Sequence, residues 1–174
     1  VNWLAETGST STPGTGPNGP NNGTTYIYSE MTGGSIGNSA ILKSKCVDLS
    51  TMNNPALRFA YHKFGTNVGP LVLNADINNL GTSSTLASIN GQTQTSSTDD
   101  WKNQIINLSQ YGNDILTFTF TVPYSNGDLG DVALDDFEIF ELLQLDATAL
   151  SLSSPVTGCG LSATEPIVAK VSNY

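Results

Sequence analysis

Basic residues are scarce in this 174-residue sequence: 6 Lys and Arg stand against 15 Asp and Glu, a formal net charge of −9. Neutralising phosphates takes clustered cations, and the six here (Lys43, Lys45, Arg58, Lys63, Lys102, Lys170) are scattered, which excludes a nucleic-acid partner. Histidine occurs once, as His62, so no second imidazole exists for a zinc site. The two cysteines, Cys46 and Cys159, lie too far apart for a Cys-x-x-Cys redox or zinc unit, and the sequence does not decide whether they pair. Long apolar runs are also missing. No stretch approaches the roughly 18 residues that span a bilayer, so membrane insertion is not expected. No basic segment precedes an apolar run at the start, and an export signal is expected upstream of Val1.

Small polar residues take the place of charge: 19 Ser, 20 Thr, 17 Asn and 17 Gly. Ser and Asn compete for backbone hydrogen bonds and Gly costs a helix about 1 kcal/mol, so this composition favours strands and turns. With 38% hydrophobic residues the chain carries enough apolar surface for a real core. An all-β domain is expected. Low lysine with abundant Thr and Asn suits an extracellular sheet surface, which points to a secreted or cell-surface location.

Residues 5–24 form a Gly, Pro, Ser, Thr and Asn loop, and short strand-like runs follow it. They are Thr24–Glu30, Ser39–Lys43, Ala56–Phe64, Leu71–Ala75, Thr85–Ile89, Lys102–Leu108, Ile115–Val122 and Asp131–Glu141. Within them, Leu57, Phe59 and Tyr61 share one face and Arg58 and His62 the other. The clearest run places Leu116, Phe118, Phe120 and Val122 against Thr117, Thr119 and Thr121, which is period two with no helical competitor. Asn90-Gly91 and Asn126-Gly127 are candidate tight turns, the first between two strand-like segments. Eight or nine short strands divided by turns describe a sandwich of two antiparallel sheets. After Glu141 the texture changes. Residues 145–174 read as the first strands of a second β module, truncated after two strands, leaving 1–144 as the main domain.

Several pieces, in this order, resemble the MAM domain, the extracellular module of meprin, neuropilin and receptor tyrosine phosphatases. They are Thr15-Gly-Pro17, Tyr26-Ile-Tyr28-Ser-Glu30, Ala40-Ile-Leu-Lys-Ser44, Leu57-Arg-Phe-Ala-Tyr-His62 with Gly65, Gly69-Pro-Leu71, Trp101 before Ile105-Ile-Asn-Leu108, and Gly130-Asp-Val-Ala-Leu-Asp-Asp136. The segment Ser44–Ser50 is more similar to MAM domains of secreted bacterial multidomain proteins. The resemblance implies a jelly-roll β-sandwich used in adhesion or recognition, without catalysis, and a tail that resembles the start of an immunoglobulin-like repeat. Two departures stand out. The family's Asp-His-Thr stretch is replaced by Pro20-Asn-Asn22, and its opening Phe-Glu strand is not found ahead of Val1.

Among candidate sites, Asp131, Asp135, Asp136 and Glu138 place four carboxylates within eight residues. Strand alternation puts Asp131 and Asp135 on one face and Asp136 and Glu138 on the other, which argues against a glycosidase pair. A buried carboxylate needs hydrogen bonds or a cation, so Asp131, Asp135 and Asp136 are candidate ligands of a structural Ca²⁺. Gly33-Gly-Ser35-Ile-Gly37 matches the G-x-S-x-G elbow only in letters, because that motif works between a buried parallel strand and a helix. His62, its one available base, is expected on the outer face or under a crossing loop, as a structural residue. Most of Trp3, Trp101 and the tyrosines must be core. Tyr111 and Tyr124, with Asn126, are the expected exposed loop tips for binding.

These observations converge on a non-catalytic recognition module binding an extracellular protein or a glycan through its loops, with neighbouring domains of the same polypeptide as further partners. A carbohydrate-binding module attached to a secreted hydrolase or peptidase is the alternative, and a spacer between domains a third.

Overall fold

The computed structural model describes residues 1–142, 147–154 and 168–173. It contains strands β1 (Asn2–Glu6), β2 (Tyr26–Glu30), β3 (Ser39–Lys43), β4 (Val47–Asp48), β5 (Pro55–His62), β6 (Leu71–Ile77), β7 (Ser83–Ile89), β8 (Lys102–Asn107), β9 (Ile115–Pro123), β10 (Val132–Glu141), β11 (Ala147–Ser154) and β12 (Val168–Asn173). A short 3₁₀ turn, Ser109–Tyr111, is the one helical element among the described residues. The fold is a jelly-roll β-sandwich of two antiparallel sheets. One has the order β1-β2-β10-β5-β8, and the other runs β3-β9-β6-β7 with β4 also on β9.

Period-two sequence explains the layers. On β9, Leu116, Phe118 and Val122 are fully buried and Phe120 is nearly so, all facing Leu57, Phe59 and Tyr61 of β5 across the sandwich. The Phe59 and Phe120 rings meet edge to face, with centroids 5.0 Å apart. Strand β5 departs from simple alternation, because every residue in it except Arg58 is buried. Its outer side chains Ala60 and His62 lie beneath two long loops, residues 7–25 and 90–101. These loops bury a second cluster of Tyr26, Tyr28 and Ala133, with Trp101 packed against it. The loops also bond to each other, Asn18 N–H donating to the Ser97 carbonyl at 2.9 Å.

Two turn features follow from this arrangement. Asn90-Gly91 does not make a tight hairpin: β7 and β8 belong to different sheets, so a twelve-residue crossing loop joins them. Gly65, at φ +140°, sits where three segments converge. A Cβ there would lie 2.3 Å from the Leu129 carbonyl oxygen and 2.6 Å from Thr15 Oγ1, so only glycine fits.

The described chain divides into Val1–Glu141 and Leu142–Tyr174, close to the expected boundary at 144. In the second unit β11 pairs antiparallel with β12. Cys159, and with it any pairing to Cys46, lies outside the described residues.

Truncating the inter-sheet contact with Phe59→Ala removes a buried ring and leaves a cavity, and is expected to cost about 3–5 kcal/mol in urea-induced unfolding. A loss below about 1 kcal/mol would mean that the two layers do not pack through this residue.

Candidate functional site

The two loops cover only half of the outer face of the β1-β2-β10-β5-β8 sheet. Register places Arg58 between Ile105 of β8 and Glu138 of β10, and places Ala60 between Asn103 and Asp135. Partners in antiparallel register share a face, so these side chains form two adjoining rows, the Arg58 row on the uncovered half and the Ala60 row at its border, where Ala60 itself is buried beneath the loops. They border a groove of about 580 Å³ lined by Asn22, Arg58, Asn103, Ile105, Asp136, Phe137 and Glu138. The Arg58 guanidinium donates to Glu138 and lies 5.5 Å from the Phe140 ring centroid, which holds a long side chain in place. Ile105 is 52% exposed, an apolar element within a largely polar wall.

A bulge shapes the rim. The β10–β5 register shifts between Asp135 and Glu138, and Asp136 adopts φ +51°. Glu138 consequently shares the outer face with Asp135, which corrects the alternation expected from sequence. Asp135 and Asp136 instead meet around one loop residue. Asn21 N–H donates to Asp135 Oδ2 at 2.9 Å and Asn21 Nδ2 to Asp136 Oδ2 at 2.6 Å. Asn22 N–H adds a bond of 3.3 Å to Asp135 Oδ2, and Asp136 N–H donates to Asp135 Oδ1 at 2.9 Å. Asn21 and Asn22 thus fasten the loop to the bulge.

Asp131 lies four residues back along the chain, roughly 13 Å for an extended backbone, and is fully buried under the first loop. The structure does not bring Asp131 together with Asp135 and Asp136. Asp135 and Asp136 already accept four hydrogen bonds, and no three acidic, histidine or cysteine side chains gather among the described residues.

The expected loop-tip set is also redistributed. Tyr111 is 8% exposed and belongs to the core, its hydroxyl donating to Ser84 at 3.4 Å. Tyr124 is half-buried, its ring against Gly34, whereas Asn126 is exposed at φ +60°. Tyr111 precedes β9 and Tyr124 follows it, so a strand of roughly 27 Å separates them and they cannot form one platform. Sequence reasoning placed Arg58 on the outer face but missed its grouping with Asn103 and Ile105, because strand neighbours are set by register, not by sequence distance.

Ser35 and His62 do not meet. Ser35 is exposed in a turn closed by Asn38, while His62 is fully buried with neither ring nitrogen hydrogen-bonded. Its ring packs against Trp101 at 5.6 Å. Burial pushes the imidazole down to about 4, with the Asp99 backbone, the Asp99 charge and the Ser96 backbone pulling the other way, so it is neutral at physiological pH. A buried, unpaired imidazole of this kind cannot serve as base for a serine held elsewhere.

Comparison with known proteins adds the following. The family profile described as "MAM domain, meprin/A5/mu" matches residues 1–142. The K2 cleaved adhesin domain of Lys-gingipain is 16% identical with a TM-score of 0.51, covering 80% of this chain and 82% of that one. The K1 cleaved adhesin domain, from Porphyromonas gingivalis, is 18% identical with a TM-score of 0.49, covering 81% and 84%. TmCBM61, solved with β-1,4-galactotriose, is 19% identical with a TM-score of 0.45, covering 70% and 73%. At such identities the likeness speaks for the fold alone.

The buried histidine yields a prediction. Its folded pKa lies below the roughly 6.5 of an unfolded histidine, so its contribution to stability is whole above pH 6.5 and is lost as the pH falls towards 4. As the single histidine of the chain, its Hε1 resonance is unambiguous in NMR. Its titration midpoint is expected near 4; a midpoint at 6 or above would contradict the burial described here.

Proposed function

This chain belongs to the MAM domain family, and we propose that it acts as a non-catalytic recognition module of an extracellular protein, with the uncovered half of the outer sheet face as its ligand surface. The observation that carries this reading is the groove bounded by Arg58, Asn103, Ile105, Asp136 and Glu138. Its polar groups stand on strands or are fastened to the bulge, so little side-chain freedom is lost when a ligand binds. Planar amide, carboxylate and guanidinium groups offer donors and acceptors to hydroxyls, while Ile105 and Phe137 offer apolar contact to C–H faces. That combination suits a glycan. The Arg58–Glu138 pair cancels its own charge and the chain as a whole carries −9, so a neutral glycan is favoured over an acidic one.

Adhesion through such a surface agrees with the adhesin domain that shares the fold, and the carbohydrate-binding alternative, which requires an exposed aromatic platform or a polar groove, is served by the same groove. No helix among the described residues is long and apolar enough to cross a membrane. Residues 145–174 we read as the opening strands of an immunoglobulin-like repeat, which makes adjoining domains of the same polypeptide natural partners. The antiparallel pairing of β11 with β12 supports this.

Screening the domain on an array of neutral and acidic glycans is expected to give binding among the neutral set. Arg58→Ala should then weaken affinity at least tenfold, because it removes donors at the groove centre. It should cost little stability, since an exposed ion pair contributes about 0–1 kcal/mol. Glycan binding unchanged by this substitution would move the ligand surface elsewhere. An empty array together with capture of a defined extracellular protein would favour a protein ligand.

A further inference from the structure

The bulge that sets the rim of the groove also opens the space between the two sheets. Register pairs Asp135 with Ala60 and Glu138 with Arg58, so Asp136 and Phe137 both stand opposite Phe59. A bulge of two residues against one bends its strand. With Asp136 at φ +51°, Phe137 leans onto β9, its ring centroid 5.8 Å from that of Phe118 and 6.1 Å from that of Phe120. Beside it lies a cavity of about 330 Å³ lined by Ile27, Leu42, Phe59, Phe120, Leu134 and Phe137. Ile27 pairs with Leu134 and Leu42 with Phe120, which puts each pair on the inner face of its sheet. Phe59, Phe120 and Leu134 are buried, Ile27 and Leu42 are partly covered, and Phe137 is 44% exposed. The cavity thus runs from the core out to the surface.

Its chemistry is unlike that of the groove. The polar side chains at its rim are engaged with the protein itself. Asp135 and Asp136 accept from Asn21 and Asn22, and the Ser44 hydroxyl donates to the Lys45 carbonyl at 2.7 Å while accepting the Phe118 N–H at 2.9 Å. A polar group brought inside would lose its water and gain no partner from the six apolar walls, so the cavity selects an apolar ligand. The rings decide which kind. Phe120 meets Phe59 edge to face at 5.0 Å and Phe137 at 6.1 Å, with interplanar angles of 83° and 78°. A further aromatic ring continues that arrangement, adding quadrupole attraction to the area that a saturated group would bury. Size agrees: an apolar cavity of roughly 150 Å³ takes benzene, and this one is about twice as large.

We propose that this cavity binds an aromatic ring, single or fused, and that it receives an aryl substituent carried by the glycan in the adjoining groove. The ring site stands on the cavity alone, whereas its link to the glycan rests on the groove being the ligand surface. Asp136 and Phe137 make the link, because they line both compartments. A sugar held by Arg58, Asn103 and Glu138 has the apolar recess directly across the bulge. An aryl glycoside, or a sugar esterified by an aromatic acid, fills both: its hydroxyls meet the polar wall and its ring enters between the sheets.

The ring site is tested on the whole chain with indole, which needs no sugar. Titration followed by methyl NMR should give saturable shifts at Ile27, Leu42 and Leu134. Leu42→Trp, which fills the recess from the edge strand β3, should weaken indole at least tenfold. Leu42 does not line the groove, so the sugar contacts stay in place. Should that variant fail to fold, Leu42→Phe makes the same test with a smaller ring. Shifts that do not saturate, shifts centred away from these methyls, or equal indole affinity in the folded variant would overturn the site. The link is tested with the phenyl, cyclohexyl and methyl glycosides of the neutral sugar that binds tightest on the array. The phenyl glycoside is expected to bind at least tenfold tighter than the methyl and several-fold tighter than the cyclohexyl. Leu42→Trp should erase that gain and leave the methyl glycoside unaffected, whereas Arg58→Ala should weaken all three alike. Equal affinity for the phenyl and methyl glycosides, with indole still bound, would overturn the link and leave the ring site standing. A cyclohexyl glycoside as tight as the phenyl would overturn the aromatic preference. Absence of any glycan binding would remove the groove reading and the link with it, while the indole titration still decides the cavity.

Discussion

Burial of β5 on both sides is the constraint from which the rest of the molecule follows. A strand in an ordinary sandwich keeps one face in water, but here every residue from Pro55 to His62 other than Arg58 is covered. The inner side is closed by β9 and the outer side by two loops with little regular structure. Covering a sheet with irregular chain is expensive unless the loops' own amides find acceptors, and fixed acidic groups supply them. Asp99 accepts the Thr95 and Ser96 amides, Glu6 those of Thr7 and Gly8, and Asp135 those of Asn21 and Asn22. Much of the excess negative charge is thus structural. The groove is what remains of the face once the loops end.

The layers of the sandwich were legible in the sequence because they rest on local alternation. Leu116, Phe118, Phe120 and Val122 could only be one face of a strand, and the structure buries all four. What was not legible depends on contacts distant in sequence. The bulge at Asp135–Glu138 rotates Glu138 onto the face of Asp135, and no local pattern announces a residue in the left-handed region at Asp136. Tyr111 looked like a loop tip because Gly112 and Asn113 follow it, yet the 3₁₀ turn folds it back into the core. β1 and the two-residue β4 went unremarked, β1 having one face partly covered and no clear period.

For the site, the sequence supplied the parts but not their assembly. Arg58 and Glu138 are 80 residues apart and meet only through the β10–β5 register. The position of His62 opposite Leu57 and Phe59 left it on the outer face or under a crossing loop, and the structure buries it with its ring packed against Trp101. Family membership fixes the architecture, and at 16–19% identity the solved neighbours add nothing residue by residue. Function therefore has to be argued from the groove itself.

Mapping a bound ligand by amide and side-chain chemical-shift perturbation addresses the account most directly. During titration with a neutral oligosaccharide, the largest changes are expected at Asn22, Arg58, Asn103, Ile105 and Glu138, and not at the far ends of the sandwich. Perturbations centred on Ser35, Tyr124 and Asn126 would contradict it, because they would place recognition on the loop tips and leave the open half of the sheet face without a role.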